Sequence, residues 1–407
     1  MKNEKILVAP IHYMIDKEGG SEYTRALEFL ELVSKDKGIS GHVLAYYSPF
    51  EKIGNLKIIS YSKKKPLYIS ILIRLRFILW VFLTARKLMK ENKYNCIWHF
   101  GPFAIGETFS MLAIMNRKAI KFVLGPINIP FSGSVGKDFG LLGKKVLETD
   151  SQFLQYKNRL ERELYKRLSK IFYFLSMLTL KECTEIFVKE DAGKKILNKA
   201  GFKNITVVNL GINEKNFLFD RKYANGNRRI NLLSVGYLVP RKRMGDLIDA
   251  MNILVNKRKI KNISLTLVGE GTEKNNLLSK TKLYKLESYI KFAGFVSRQK
   301  IHFYYKSADI FLSGSIMDSM PGIYFEAMAS SLPVVLAENN SSKALQRNNL
   351  GGFVVKGESP IAFANAIEKL VLNRKLRERF GHINYELFKK HYSLRSNIRL
   401  LINVLKN

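Results

Sequence analysis

Short apolar runs alternate along this chain with longer stretches whose apolar residues recur three and four positions apart. The runs at 5–10 (KILVAP), 42–48 (HVLAYYS), 56–60 (LKIIS), 95–100 (NCIWHF) and 121–126 (KFVLGP) read as strands. Helical spacing covers 22–36, a strongly apolar stretch at 67–85, and about 151–182. Shorter elements follow: a strand at 186–189, a helix at 193–200 and a strand at 205–210. A polar segment rich in Asn, Gly and charge, 220–229, is the best linker candidate. Alternation then restarts, with strands at 230–236, 263–269, 290–295, 309–314, 332–337 and 352–356 and helices centred on 243–257, 273–285, 297–307, 323–330 and 360–372. Strand and helix in strict alternation predict the α/β class, with parallel sheets flanked by helices. Two such runs joined by a linker predict two facing Rossmann-like domains with a cleft, over 1–215 and 216–390. An amphipathic helix over 391–407 is expected to pack back on the first.

The charge modifies this picture. The 407 residues include 68 Lys and Arg against 34 Asp and Glu, a formal net charge of +34. Such a surface attracts polyanions: nucleic acid, anionic lipid or a phosphorylated acceptor. At 46% apolar residues the chain holds enough material for two cores, so disorder is excluded as a general state. The stretch 67–85 is nearly long enough to cross a bilayer, but Arg74 and Arg76 lie near its middle, at about 2.5–3.5 kcal/mol each. Lys63, Lys64 and Lys65 precede it, and Arg86, Lys87, Lys90 and Lys93 follow. A helix in the plane of an anionic membrane surface fits this, as does a buried helix with one basic edge. Cys96 and Cys183 stand alone, outside any metal-ligand or disulfide spacing, which fits a reduced cytosol. The run 6–11 is too short for a signal peptide and reads as the first buried strand.

The clearest chemistry lies at Asp318 and Glu326, eight positions apart. Between them Pro321-Gly322 turns the chain into a helix opening near Ile323, leaving N–H groups of Gly322 and Ile323 for an anion. Carboxylates accept paired hydroxyls, so two of them beside a phosphate cradle suit a nucleotide sugar. Arg241 and Lys242 follow the strand ending at Gly236 and can neutralise a diphosphate leaving group. Gly19 and Gly20 follow the first strand and open a helix, without a GxGxxG fingerprint. His99 ends a strand, as does Gly125-Pro126-Ile127-Asn128, and His12 ends the first.

The run from Asp318 to Glu326 resembles the Glu-x7-Glu signature of glycosyltransferase family 4, whose members are retaining enzymes of the GT-B fold. Supporting similarities are Val235-Gly236 with the following basic pair, Val268-Gly-Glu-Gly271, Phe292-Ala-Gly294-Phe295-Val296, and the segment Tyr94–His99. The resemblance implies that Asp318 faces the donor sugar and Glu326 the ribose hydroxyls. It implies that Gly294 and Phe295 wall the base, that Gly19 and Gly20 lie near the donor phosphate and acceptor, and that His99 holds sugar or acceptor. The chain departs from the family in having Asp at the first carboxylate position and Tyr237 where Arg is common.

The expected reaction is transfer of a sugar, with retention, from a nucleotide diphosphate to a glycan or lipid-linked acceptor. Capsule, exopolysaccharide or lipopolysaccharide synthesis at the inner membrane face is the setting that charge and helix favour. No metal or other cofactor is expected, because Arg241, Lys242 and the helix end supply the positive field and no Asp-x-Asp run occurs. A nucleotide-sugar epimerase of the same fold and a basic nucleic-acid-binding protein are the competing readings. The second lacks a helix-turn-helix or RRM signature, and its aromatics follow core periodicity, so nucleic acid is not an expected partner.

Overall fold

The computed structural model describes residues 4–11, 21–65, 70–100, 108–116, 119–127, 159–208, 211–218, 229–318 and 320–406. They fall into two compact units: Met1–Leu210 with Asn397–Asn407, and Gly211–Ser396.

The first unit is built on strands β1 (Glu4–Val8), β2 (Ile39–Ala45), β3 (Lys52–Ile53), β4 (Leu56–Ser60), β5 (Cys96–His99), β6 (Lys121–Ile127), β7 (Glu185–Val188) and β8 (Ile205–Val207). Among the described residues they form one sheet in the order β3-β4-β2-β1-β5-β6-β7-β8, with only the β3–β4 pair antiparallel. The central strands β1 and β5 are near-continuous apolar runs because helices cover both faces of a parallel sheet. Those helices are α1 (Ser21–Val33), α2 (Ile71–Glu91), α3 (Met111–Asn116), α4 (Arg159–Glu182) and α5 (Asp191–Lys199). Buried Trp98 donates its indole N–H to the Gly125 carbonyl at 2.9 Å, fastening β5 to β6.

Helix α2 corresponds to the stretch expected at 67–85; positions 66–69 lie outside the described residues. Its start is fixed by Ser70, whose hydroxyl accepts from the Ile73 N–H at 3.2 Å. It continues six residues past Ala85, because Leu88 extends the buried line of Phe77, Val81 and Ala85. Leu72, Leu79 and Leu83 are exposed. No helix among the described residues is long and apolar enough to cross a membrane.

In the second unit the strands are β9 (Ile230–Val235), β10 (Ile263–Val268), β11 (Ile290–Gly294), β12 (Ile310–Ser313), β13 (Val334–Ala337) and β14 (Gly352–Val355). All pair in parallel, in the order β11-β10-β9-β12-β13-β14. The connecting helices are α6 (Met244–Asn252), α7 (Lys274–Leu283), α8 (Ile301–Ser307), α9 (Gly322–Ala329), α10 (Asn340–Arg347), α11 (Pro360–Leu372) and α12 (Arg374–His391). A π turn over Ile253–Lys257 prolongs α6. One core, with Leu247, Ile248, Leu254, Phe363 and Ile367, packs on one face of the sheet. Another, with Tyr305, Phe311, Tyr324, Phe325 and Phe388, packs on the other.

The last helix, α13 (Leu394–Lys406), starts in the second unit, where the Leu394 N–H donates to the Ile212 carbonyl at 3.0 Å. From Asn397 on it belongs to the first. There Lys406 pairs with Asp36 at 2.8 Å, and Lys121 donates to the Val404 carbonyl at 2.6 Å.

Candidate active site

In an open parallel sheet, ligands bind beyond the carboxyl ends of the strands where the strand order reverses. In the second unit the chain runs outward from β9 to β10 and β11 on one side, then from β12 to β13 and β14 on the other. The reversal lies between β9 and β12, paired at Ile310–Leu232 and Phe311–Leu233. The loops leaving these two strands carry Arg241 with Lys242, and Asp318.

Those loops are bound to each other. Gly314 lies so close to the Pro240–Lys242 turn that a Cβ there would come within 2.7 Å of the Arg243 carbonyl. The Ile316 N–H donates to the Arg241 carbonyl at 3.3 Å, and Arg241 Nη1 returns a bond to the Met317 carbonyl at 3.2 Å. Ser341 pins the loop from beneath, donating to the Asp318 carbonyl and accepting from the Met320 N–H, both at 2.7 Å. Asn339, the N-cap of α10, donates to the Ser315 carbonyl at 2.7 Å.

On this frame the Lys242 ammonium sits 2.8 and 2.7 Å from the two carboxylate oxygens of Asp318, and Arg241 Nη1 lies 3.2 Å from Oδ1. Two cations share one carboxylate, so a net positive charge remains four residues before α9 begins at Gly322. Burial pushes the Lys242 ammonium below the ordinary lysine range; Asp318 opposes that shift and Arg241 adds to it. A buried cation that retains net positive surroundings is suited to an anion, which would favour its charged form.

Glu326 lies one turn into α9, buried, with its carboxylate on Arg298. Tyr305, wholly buried, hydrogen-bonds the same carboxylate, and burial followed by the Glu326 charge drives its phenol well above the ordinary range. Tyr324, also raised by burial and then by Asp318, stays a neutral phenol beside Asn339. Of the remaining expected donor residues, Gly294 adopts φ +69° at the end of β11, and the exposed Phe295 follows it. Tyr237 is exposed beyond β9, and Pro321 is the N-cap of α9, directly before Gly322 and Ile323.

The residues singled out by the sequence pattern fall into two clusters, one of Arg241, Lys242 and Asp318, the other around Glu326. It did not single out Arg298, Tyr305, Asn339 or Ser341. Arg298 sits in a polar run, Ser297-Arg-Gln-Lys300, with no spacing signal. Asn339 before Ser342 is a capping signal that was there to be read.

The first unit has its own reversal, between β1 and β5. Pro10 and Ile11 after β1, His99 at the end of β5, Phe77, Ile78, Val81 and Phe82 of α2, and residues 108–112 line a mostly apolar pocket. Burial pushes the His99 imidazole down to about 4, so it is neutral near pH 7. His12, Gly19 and Gly20 lie outside the described residues, as does Asn128. Among the described residues no three His, Cys, Asp or Glu side chains gather as metal ligands.

The family model of the glycosyl transferases group 1 matches residues 216–387, the stretch that carries both clusters. Over that stretch the chain is similar to the glycosyl transferases group 1. The chain is 30% identical over 176 residues to the amylovoran biosynthesis glycosyltransferase AmsK of Erwinia amylovora, covering 42% of each chain. It is 25% identical over 162 residues to the lipopolysaccharide core biosynthesis glycosyltransferase LpsE of Rhizobium meliloti, covering 40% of this chain and 45% of that one. The chain thus spans less than half the length of these relatives. Whole-chain likeness comes from solved structures. HepE of Anabaena, in complex with UDP and glucose, has a TM-score of 0.64 at 16% identity, over 99% of both chains. WaaG, a glycosyltransferase of lipopolysaccharide biosynthesis, has 0.66 at 14% identity, over 99% of this chain and all of that one. The fold of this chain is accordingly GT-B.

Proposed function

We propose that the chain is a retaining glycosyltransferase that moves a hexose from a nucleotide-diphosphate sugar to a glycan or lipid-linked acceptor. The observation that carries this reading is the Lys242–Asp318–Arg241 cluster, with Lys242 buried, at the reversal of the second sheet, next to the start of α9. Breaking an anomeric bond to a diphosphate develops negative charge on the leaving phosphate. Fixed cations and a helix N-terminus stabilise that charge without reorganising, and this is the largest source of rate in such sites. Lys242 and Arg241 would take the diphosphate, with the N–H groups of Gly322 and Ile323 behind them. Asp318 holds both cations and would accept a sugar hydroxyl. Glu326 would accept the ribose hydroxyls. On this scheme the protein's own cations serve where other enzymes use a divalent ion. Front-face attack by the acceptor, with the departing phosphate taking its proton, accounts for retention without a protein nucleophile.

HepE, described with UDP and glucose, and relatives named for amylovoran and lipopolysaccharide core biosynthesis support a cell-surface polysaccharide as product. The basic, partly apolar outer face of α2 supports a cytoplasmic protein held peripherally at the inner face of the membrane. The test is incubation of the purified chain with a panel of nucleotide sugars and glycan or lipid-linked acceptors, with the anomeric configuration read by NMR. Glu326→Ala should abolish most turnover while the fold persists. Normal turnover by that variant, or no turnover of any donor by the wild type, would refute the assignment.

A further inference from the structure

We infer that Arg298 is a positioning residue for the ribose of the donor, acting through Glu326; this rests on the donor-binding reading above. Arg298 comes from the loop between β11 and α8, whereas Glu326 sits in α9. The Arg298 side chain is 12% exposed and that of Glu326 4%, and Arg298 Nη1 donates to Glu326 Oε1. The guanidinium carbon lies 5.9 Å from the centre of the buried Phe217 ring, so the cation is held from a second side. Tyr305 of α8 adds its hydroxyl to the same carboxylate and lies 3.5 Å from the Ile323 carbonyl, one turn before Glu326.

This arrangement fixes the direction of the carboxylate. An ionised carboxylate offers about four acceptor positions on two oxygens. A guanidinium on Oε1 and a neutral phenol on the same group use part of that capacity and restrain rotation of the terminal torsion. The remaining lone pairs are then aimed one way, as two vicinal ribose hydroxyls require. The guanidinium also offsets the desolvation of a carboxylate buried this deeply. A lysine would keep the charge and lose the planar fork, and a methionine would keep the bulk and lose both.

The experiment uses the full chain. Calorimetry with UDP, GDP, ADP and CDP identifies the base that binds. Its nucleoside diphosphate is then compared with the 2′,3′-dideoxy analogue in wild type, Arg298→Lys, Arg298→Met and Glu326→Gln, with melting curves as fold controls. Wild type should favour the ribose form by about tenfold or more, the scale of one strong hydrogen bond to a charged group. Arg298→Met should bring that ratio close to one while leaving affinity for the dideoxy form within about threefold, and Arg298→Lys should fall between. With donor sugar, KM should rise more than kcat falls. If Arg298→Met keeps the wild-type ratio, or weakens both forms equally, Arg298 is structural and the inference fails. If Arg298→Met does not fold, the ratio in Arg298→Lys decides in the same way. A wild type that binds no nucleoside diphosphate overturns the donor reading and this inference together. Binding without any ribose preference overturns this one alone.

Discussion

At the scale of single residues, two buried titratable groups give opposite pH signatures. Lys242 must be charged to hold a diphosphate, and burial already lowers its affinity for a proton. Donor kcat/KM should therefore fall as pH rises on the alkaline side, beginning below the ordinary lysine range. Lys242→Met should lower kcat/KM by about 100- to 1000-fold near neutrality and remove that alkaline limb. A pH series of initial rates checks both, and an unchanged limb in the variant would assign it elsewhere. His99 acts on stability. Unfolded, its imidazole titrates near 6.5; folded, it resists protonation down to about 4. The unfolded chain therefore binds an extra proton between these values. His99 does not limit stability above pH 6.5, and stability declines as pH falls toward 4, by about 3 kcal/mol in all. Urea unfolding of wild type and His99→Phe at pH 7.5, 5.5 and 4.5 should show the difference between them shifting toward the variant as pH falls. Parallel pH dependences would mean that the His99 ring is not buried as described.

At the scale of elements, the ends of the strands are set by close backbone approach as much as by side chains. Gly269 ends β10 with φ +140°, and a Cβ there would lie 1.9 Å from the Gly236 carbonyl at the end of β9. Gly269→Ala should destabilise the second unit by about 2–4 kcal/mol, because both the conformation and the contact forbid a side chain. Denaturant unfolding checks this, and a loss below about 0.5 kcal/mol would show that the two strand ends can separate freely. Strand positions were legible in the sequence because buried parallel strands are uninterrupted apolar runs, and β4 at Leu56–Ser60 matches the run LKIIS residue for residue. Helices α10 and α12 were not, for a physical reason. The sequence of α10, NSSKALQR, is polar, and it is held by the Asn339–Ser342 capping box. In α12 the buried positions include Arg377 and Asn384, which serve backbone groups instead of an apolar core: Asn384 bridges the Leu332 and Gly351 carbonyls, and Arg377 closes the last carbonyls of α11. The site divides the same way. Arg241, Lys242 and Asp318 are readable because each lies a few residues past a strand end, a matter of local spacing. Arg298 meets Glu326 only through the tertiary packing of α8 on α9, and no spacing in the sequence encodes it.

At the scale of the whole molecule, the net charge of +34 needs a counterpart, and one helix shows where it would concentrate. The exposed positions of α2 include Leu72, Arg76, Leu79, Leu83, Arg86 and Lys90, three or four residues apart and therefore on one side. The other side is the buried line of Phe77, Val81, Ala85 and Leu88, so this helix is anchored in its unit and still presents leucines to the outside. Exposed leucines among arginines and lysines suit the boundary between headgroups and acyl chains. There the leucines leave water, and each cation gains about 1 kcal/mol against an anionic surface. Neither force suffices alone: the charge is screened by salt, and three leucines on a rigid helix bury little area. Their combination predicts binding that needs anionic lipid and also fails when the leucines are removed. Leu79→Glu with Leu83→Glu should lower partition onto phosphatidylglycerol vesicles about tenfold at 0.1 M salt, with turnover of soluble acceptors unchanged. Phosphatidylcholine vesicles should capture neither protein. Sedimentation with both kinds of vesicle reads this directly. A wild type that stays in solution with anionic vesicles, or a double variant that sediments as well as wild type, would leave this face of α2 without its membrane role.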